Sequence, residues 1–102
     1  MAKFQIITAH DARQRALTEK IKMVDIRDGQ SYNRDHIEDA FHLTQSSIVQ
    51  FMAEVDLSTP VFVICYHGNS SKGIAQYLCD QGYQNVYSVA GGMVNWRLVY
   101  PS

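Results

Sequence analysis

The sequence is poor in cysteine and proline, with two of each among 102 residues, and it has only six glycines. Two cysteines, Cys65 and Cys79, are too few for a disulfide framework or a four-cysteine zinc site. No apolar run approaches a membrane span, and the first residues lack an apolar segment of signal-peptide length. These absences predict a cytoplasmic protein whose cysteines stay reduced.

Neither sign of charge is in excess. The formal net charge is -1 and 46% of the residues are hydrophobic. This balance argues against nucleic acid or an acidic membrane surface as the main partner. Any binding of anions must therefore come from a local arrangement of groups. The length, without linkers or repeats, predicts one domain over residues 1–102.

Short apolar runs alternate with longer amphipathic ones. Strands are predicted at 4–7, 21–26, 40–43, 61–65 and 85–89, with helices between them and after Gly91 and Gly92. Thr8 and Thr44 are expected to cap helices, and Gly82 is expected to end one. This alternation predicts an α/β domain with a central, mainly parallel five-stranded sheet flanked by helices on both faces.

Cys65 ends the most apolar of these strands and is followed by a loop of small and polar residues, Tyr-His-Gly-Asn-Ser-Ser. Cysteine is often buried, so core packing alone would explain this position. However, a glycine-containing loop that enters a helix can turn several backbone N–H groups inward and bind an anion. Such surroundings lower the pKa of a thiol and produce the reactive thiolate. The context therefore favours a nucleophile.

Two kinds of cysteine chemistry use a loop of this type. A phosphatase or arsenate reductase needs Cys-x5-Arg, because arginine binds a tetrahedral oxyanion with two parallel hydrogen bonds. Here the sixth residue after Cys65 is Ser71, and no arginine lies between Arg34 and Arg97. Phosphoryl transfer is disfavoured, whereas a sulfur atom carried on the cysteine needs no such arginine.

Three segments in order resemble the signatures of the rhodanese family. They are the loop Cys-Tyr-His-Gly-Asn-Ser-Ser-Lys-Gly at 65–73, the stretch Val-Asp-Ile-Arg-Asp at 24–28 with Tyr32 and His36, and Gly91-Gly92 followed by Trp96. Many family members have glycine where this chain has Asp35 and Asp39, and many single-domain members have arginine in place of Ser70. The resemblance covers almost the whole chain and implies a rhodanese-like fold.

The resemblance also implies an activity. Cys65 would accept a sulfane sulfur from thiosulfate, release sulfite, and pass the sulfur from a persulfide to cyanide or to a thiol such as that of a thioredoxin-like protein. No metal or organic cofactor is implied. The implied substrate-binding loop is Tyr66, His67, Gly68, Asn69, Ser70, Ser71 and Lys72. The alternative outside the enzymes is a sulfur-carrier or interaction module that receives persulfide from a protein partner.

The remaining polar residues have plainer interpretations. Asp25 and Arg27 lie at the carboxyl end of a core strand, and a salt bridge that fixes the loop is favoured over a direct role of Arg27 in anion binding. His67 is expected to be an exposed loop residue, and Cys79 a core thiol. A metal site built from His36, His42, Cys65 and His67 is disfavoured because no recognised ligand spacing is present. Trp96 is expected to pack in the core, whereas Tyr66 and Met93 are placed at the rim of the pocket.

Overall fold

The computed structural model describes residues 3–101, in which five strands alternate with five helices. The strands are β1 (Gln5–Ile7), β2 (Lys22–Asp25), β3 (Phe41–His42), β4 (Val61–Ile64) and β5 (Val86–Val89). The helices are α1 (Ala9–Thr18), α2 (Gly29–Arg34), α3 (Ile48–Glu54), α4 (Ser70–Asp80) and α5 (Gly92–Val99). No helix in this part of the chain is long and apolar enough to cross a membrane.

The sheet has the strand order β1-β5-β4-β2-β3, and all four strand pairs are parallel. All four residues of the central strand β4 are fully buried. Val61 and Val63 pack in a cluster with α3 and α4, whereas Phe62 and Ile64 pack with α1 and α5 on the opposite face. The predicted parallel sheet with helices on both faces is confirmed.

Two of the three predicted helix boundaries are confirmed. Thr8 Oγ1 accepts a hydrogen bond from the Asp11 N–H at 3.1 Å and caps α1. Gly82 has a φ of +108° two residues after the last residue of α4. The prediction for Thr44 was wrong, because α3 begins only after Ser47. The Thr44 hydroxyl instead accepts from the Ser46 and Ser47 N–H groups and closes a turn before the helix.

The topology determines where ligands can bind. Because all strands run in the same direction, the segments that follow β2, β4 and β5 emerge at one edge of the sheet. The residues after β4 are the Cys65 loop, those after β2 are Ile26 to Asp28, and those after β5 lead to Gly91 and Gly92. Three segments singled out in the sequence therefore meet at this edge.

Candidate active site

Cys65 lies at the carboxyl edge of the sheet, directly after β4, and is 4% exposed. It opens into a pocket of about 330 Å³ between the loop that follows β4 and the segment that follows β2. The pocket is lined by Ile26, Arg27, Asp28, Cys65, Tyr66, His67, Asn69 and Ser70. A thiol in this position is shielded from bulk solvent but accessible to a small substrate.

The loop surrounds the sulfur with hydrogen-bond donors. The Gly68 N–H and the Ser71 N–H both lie 3.2 Å from Cys65 Sγ, and Ser71 Oγ lies 3.3 Å from it. The Ser71 N–H belongs to the first turn of α4, where N–H groups have no acceptor within the helix. Gly68 has a φ of +91°, and a Cβ there would lie 2.8 Å from Gly91 N. Glycine is therefore needed for the loop to close over the sulfur.

These donors stabilise the charged form of the cysteine. Burial raises the pKa of the Cys65 thiol. The Ser71 hydroxyl and the N–H groups of Ser71, Gly68 and His67 outweigh that effect by hydrogen bonding, so the pKa lies below its ordinary value. Because the thiolate is the nucleophilic form, Cys65 is prepared for attack on an electrophile.

The loop residues do not all face the pocket. Tyr66, His67, Asn69 and Ser70 are exposed residues that line it, and Ser71 is fully buried beneath the sulfur. Lys72 is exposed on α4 and does not line the pocket. Its supporting role therefore stays a prediction.

The sequence offered two interpretations of Arg27, a salt bridge and a place beside the anion pocket, and the structure shows both. Its guanidinium is buried and makes a two-point ion pair with Asp25, in which Nη2 lies 2.8 Å from Oδ2. Nη2 also donates to the Asp35 carbonyl at 2.6 Å. Arg27 nevertheless lines the pocket. Because its charge is already paired, anion binding in the pocket relies on the backbone N–H groups.

Tyr66 is held over the pocket from three sides. Its hydroxyl donates to Asp28 Oδ1 at 2.9 Å and is also hydrogen-bonded to Ser31 Oγ. The centre of its ring lies 5.6 Å from the Arg27 guanidinium carbon, and its carbonyl accepts from the Val94 N–H at 3.0 Å. The sequence reasoning did not identify Asp28 or Ser31. The Asp-x-x-Ser spacing at the start of α2 was the available signal for this cap.

The start of α5 holds the backbone of Cys65 and Tyr66 by hydrogen bonds. The Met93 N–H donates to the Cys65 carbonyl at 2.7 Å, as the Val94 N–H does to Tyr66. Gly91 and Gly92 have φ values of +77° and +59°, which turn the chain so that the first N–H groups of the helix meet these carbonyls. Met93 contributes this amide while its side chain is buried in the core, so the prediction that it lines the rim was wrong.

Comparison with known proteins agrees with this geometry. The family model for the rhodanese-like domain matches residues 8–98. The chain belongs to the rhodanese-like domain family. Among solved structures, a rhodanese-like domain protein from Staphylococcus aureus has a TM-score of 0.79 at 22% identity, over 91% of each chain. A rhodanese-related protein from Thermoplasma volcanium has a TM-score of 0.79 at 22% identity, covering 94% of this chain and 93% of that one.

A third solved structure has a different description. A protein of unknown function from Rhodopseudomonas palustris, described as a possible tyrosine phosphatase, has a TM-score of 0.75 at 23% identity, over 95% of this chain and 82% of its own. Likeness at this identity shows the fold alone. The rhodanese-like domain is thus consistent with sulfurtransferase or related cysteine-dependent activity.

Other candidate residues of this rhodanese-like domain lie away from the sulfur. His36 and His42 stack on Tyr32, with ring centres 3.8 and 4.5 Å away. In residues 3–101, no group of three or more His, Cys, Asp or Glu side chains converges as metal ligands would. Cys79 is buried on the apolar face of α4, and burial raises its pKa. Trp96 is a core residue, as predicted.

A larger cavity, of about 790 Å³, does not contain Cys65. It lies between α1, residues 35–39 and α5, and its lining includes Leu17, Met23 and Trp96. No nucleophilic thiol is present in its walls. We therefore assign the chemistry to the smaller pocket, because that is where a thiol with a lowered pKa meets converging N–H donors.

The lowered pKa of Cys65 predicts the pH dependence of its alkylation. The rate of reaction with iodoacetamide should rise with pH, with a midpoint below the ordinary thiol pKa of about 8.5. The same cysteine in urea-unfolded protein should have a midpoint near that ordinary value. By linkage, the stability from this thiolate is fully present above the unfolded pKa and is lost as pH falls through the folded one. Equal midpoints in both states would show that the hydrogen-bond donors around Cys65 Sγ do not stabilise the thiolate.

The contacts of Asp28 predict that its carboxyl titrates at unusually low pH. The Ser31 hydroxyl, the Ser31 N–H and the Tyr66 hydroxyl lower the pKa of this carboxyl to about 2. We expect Ser31→Ala to raise it more than Tyr66→Phe does, because the Ser31 hydroxyl is the strongest influence. The measurement is the carboxyl carbon shift by NMR against pH. If Tyr66→Phe leaves the titration unchanged, its hydroxyl does not bind Asp28 in solution.

Proposed function

We propose that this rhodanese-like domain is a thiosulfate sulfurtransferase, similar to the small single-domain enzyme of the bacterial glycerol 3-phosphate regulon. The observation that carries the proposal is the position of Cys65 Sγ, within 3.3 Å of the Gly68 N–H, the Ser71 N–H and the Ser71 hydroxyl. These donors hold a negative sulfur beside an open pocket. That is what a cysteine needs to attack, and then carry, a sulfane sulfur.

In the first step, the Cys65 thiolate attacks the outer sulfur of thiosulfate. A new S–S bond forms at Cys65, the bond between that sulfur and the sulfonate breaks, and sulfite leaves with the electron pair. The persulfide on Cys65 then carries the negative charge. The N–H groups of Gly68 and Ser71 are positioned to stabilise charge on the attacking sulfur.

In the second step, a thiophilic acceptor takes the sulfur. Cyanide attacks the outer sulfur of the persulfide, thiocyanate leaves, and the Cys65 thiolate is restored. A thiol, such as that of a thioredoxin-like protein, is the proposed cellular acceptor. We propose a cytoplasmic location, because both Cys65 and Cys79 are free thiols and persulfide chemistry needs Cys65 reduced.

Phosphoryl transfer fits the same pocket less well. The Rhodopseudomonas palustris structure described as a possible tyrosine phosphatase shares the fold. In this chain, however, the position where a phosphatase has arginine is occupied by the buried Ser71. Arg27, which does line the pocket, is paired with Asp25. A phosphate dianion would therefore lack the two-point cation that its transfer requires.

Thiocyanate formation from thiosulfate and cyanide tests the proposal. The purified protein should form thiocyanate and should not hydrolyse p-nitrophenyl phosphate. After incubation with thiosulfate alone, intact-protein mass spectrometry should show one added sulfur atom, located on the peptide that contains Cys65.

The two alternatives give different results in these assays. A phosphatase would hydrolyse the phosphate ester without gaining sulfur. A carrier module would gain no sulfur from thiosulfate but would accept it from a persulfidated cysteine desulfurase. Either result would reject the proposed activity.

A further inference from the structure

A buried hydroxyl that the proposed sulfur transfer does not use lies behind Cys65. Ser88, on β5, is fully buried, and its Oγ lies 2.7 Å from Ser71 Oγ. Ser71 Oγ in turn lies 3.3 Å from Cys65 Sγ. The three side chains form a hydrogen-bonded chain that connects the nucleophile at the end of β4, through α4, to β5.

The direction of these hydrogen bonds follows from the available partners. Within residues 3–101, Ser71 Oγ is the one hydrogen-bond partner of the Ser88 hydroxyl. A buried hydroxyl whose proton has no acceptor is unfavourable. Ser88 therefore donates to Ser71. When Cys65 is a thiolate it has no proton to donate, so the Ser71 proton is directed at Cys65 Sγ, 3.3 Å from Ser71 Oγ.

Counting protons shows which form of the cysteine this chain favours. With Cys65 as a thiolate, the hydroxyl protons of Ser88 and Ser71 form the two hydrogen bonds between these side chains, and each proton has an acceptor. With Cys65 as a thiol, three protons compete for the same two hydrogen bonds, so one proton has no acceptor among these three side chains. Hydrogen bonds in such a chain polarise one another, so the Ser88 donor strengthens the bond from Ser71 to the thiolate.

We propose that Ser88 is a positioning residue for the nucleophile: through Ser71 it fixes a hydroxyl proton on the Cys65 thiolate. It acts from the core, opposite the pocket. The charged or titratable side chains that line the pocket are Arg27, Asp28, Tyr66 and His67, and the buried Asp25 on the neighbouring strand β2 is paired with Arg27. The inference rests on the proposed function only in taking the thiolate as the reactive form.

The test measures alkylation of Cys65 by iodoacetamide against pH, with the modified peptide identified by mass spectrometry. Ser88→Ala should move the midpoint to higher pH and slow alkylation below the midpoint roughly threefold, the effect of part of one net hydrogen bond. Ser88→Thr, which keeps the hydroxyl, should restore the wild-type profile. Ser47→Ala, the same change in the turn before α3 and outside the pocket, is the matched control and should leave the pH profile of Cys65 alkylation unchanged.

A double variant separates this role from packing. If Ser88 acts through Ser71, then Ser88→Ala should cause no further change in a Ser71→Ala background. A Ser88→Ala profile that matches the wild type would overturn the proposal, as would an equal loss in both backgrounds. If Ser88→Ala does not fold by circular dichroism, Ser88→Cys, nearly isosteric and a weak donor, should show the same shift. Because no sulfur donor is present, these outcomes do not depend on whether thiosulfate is a substrate.

Discussion

Cys65→Ser is expected to lower thiocyanate formation from thiosulfate and cyanide by roughly a thousandfold or more, because the reaction loses its nucleophile. A serine hydroxyl stays protonated at neutral pH, even with the N–H groups of Gly68 and Ser71 directed at it. An oxygen at this position also provides no sulfur with which to form a persulfide. The expected result is therefore a folded but inactive protein that gains no mass from thiosulfate.

Cys79→Ala provides the matched control for this experiment. Cys79 is the other thiol of the chain, but it is buried on the apolar face of α4 with a raised pKa. It also lies nine residues beyond the first residue of α4, about 14 Å along the helix axis. Its removal should reduce packing and leave the rate per folded molecule unchanged. Comparable loss of activity in both variants would point to a dithiol mechanism instead.

The sequence predicted the order and type of the elements because their signals are local. The apolar run at 61–65 predicted the most apolar strand, and β4 is the fully buried centre of the sheet. The boundary at Thr44 failed because Ser46 and Ser47 offered an equally good turn, which competes with a helix cap. Hydroxyl-rich segments fit several local structures, and tertiary packing selects among them.

The site could be predicted only in part. Cys65 and its loop are contiguous in the chain, so their chemistry was readable from adjacent residues. The contact of Tyr66 with Asp28 spans 38 positions, and that of Ser71 with Ser88 spans 17. Such pairs depend on which strands become neighbours, which no local pattern records. One signal was present, since Ser88 is a polar residue within an otherwise apolar strand.

The departures from the family signatures have structural explanations. Asp39 takes a φ of +67°, which aspartate tolerates better than most residues where many relatives have glycine. Asp35 pairs with Arg97 at 2.9 Å, and its carbonyl accepts from Arg27. Ser70, where many single-domain relatives have arginine, lines the pocket without adding charge. Under the proposed function, recognition of thiosulfate would depend mainly on backbone N–H groups.

Gly92→Ala is expected to cause the largest loss of stability among these variants. Gly92 has a φ of +59°, a conformation unfavourable for alanine. A Cβ there would also lie against the carbonyl oxygens of Cys65 and Tyr66, closer than real Cβ atoms approach other atoms. Backbone must move to relieve this contact. We expect a loss of about 3 kcal/mol in the free energy of unfolding, measured by urea denaturation.

The same substitution should impair catalysis beyond its effect on stability. The carbonyls that would be displaced belong to Cys65, the proposed nucleophile, and to Tyr66, and they accept hydrogen bonds from the Met93 and Val94 N–H groups. A shift of about 1 Å at a reacting group lowers rates by roughly a hundredfold. The rate of thiocyanate formation should therefore fall by about that factor, under conditions where circular dichroism shows the variant folded.

Gly73→Ala is the control that separates the steric contact at residue 92 from the general effect of replacing a glycine in a helix. Gly73 lies within α4, its φ is not positive, and a Cβ there would meet nothing within 4 Å. Alanine should therefore stabilise the helix by roughly 0.5–1 kcal/mol and leave activity unchanged. Opposite signs for the two variants would show that Gly92 is required for the close approach of α5 to Cys65. If the urea midpoint of Gly92→Ala equals that of the wild type, α5 does not hold the Cys65 loop in this way.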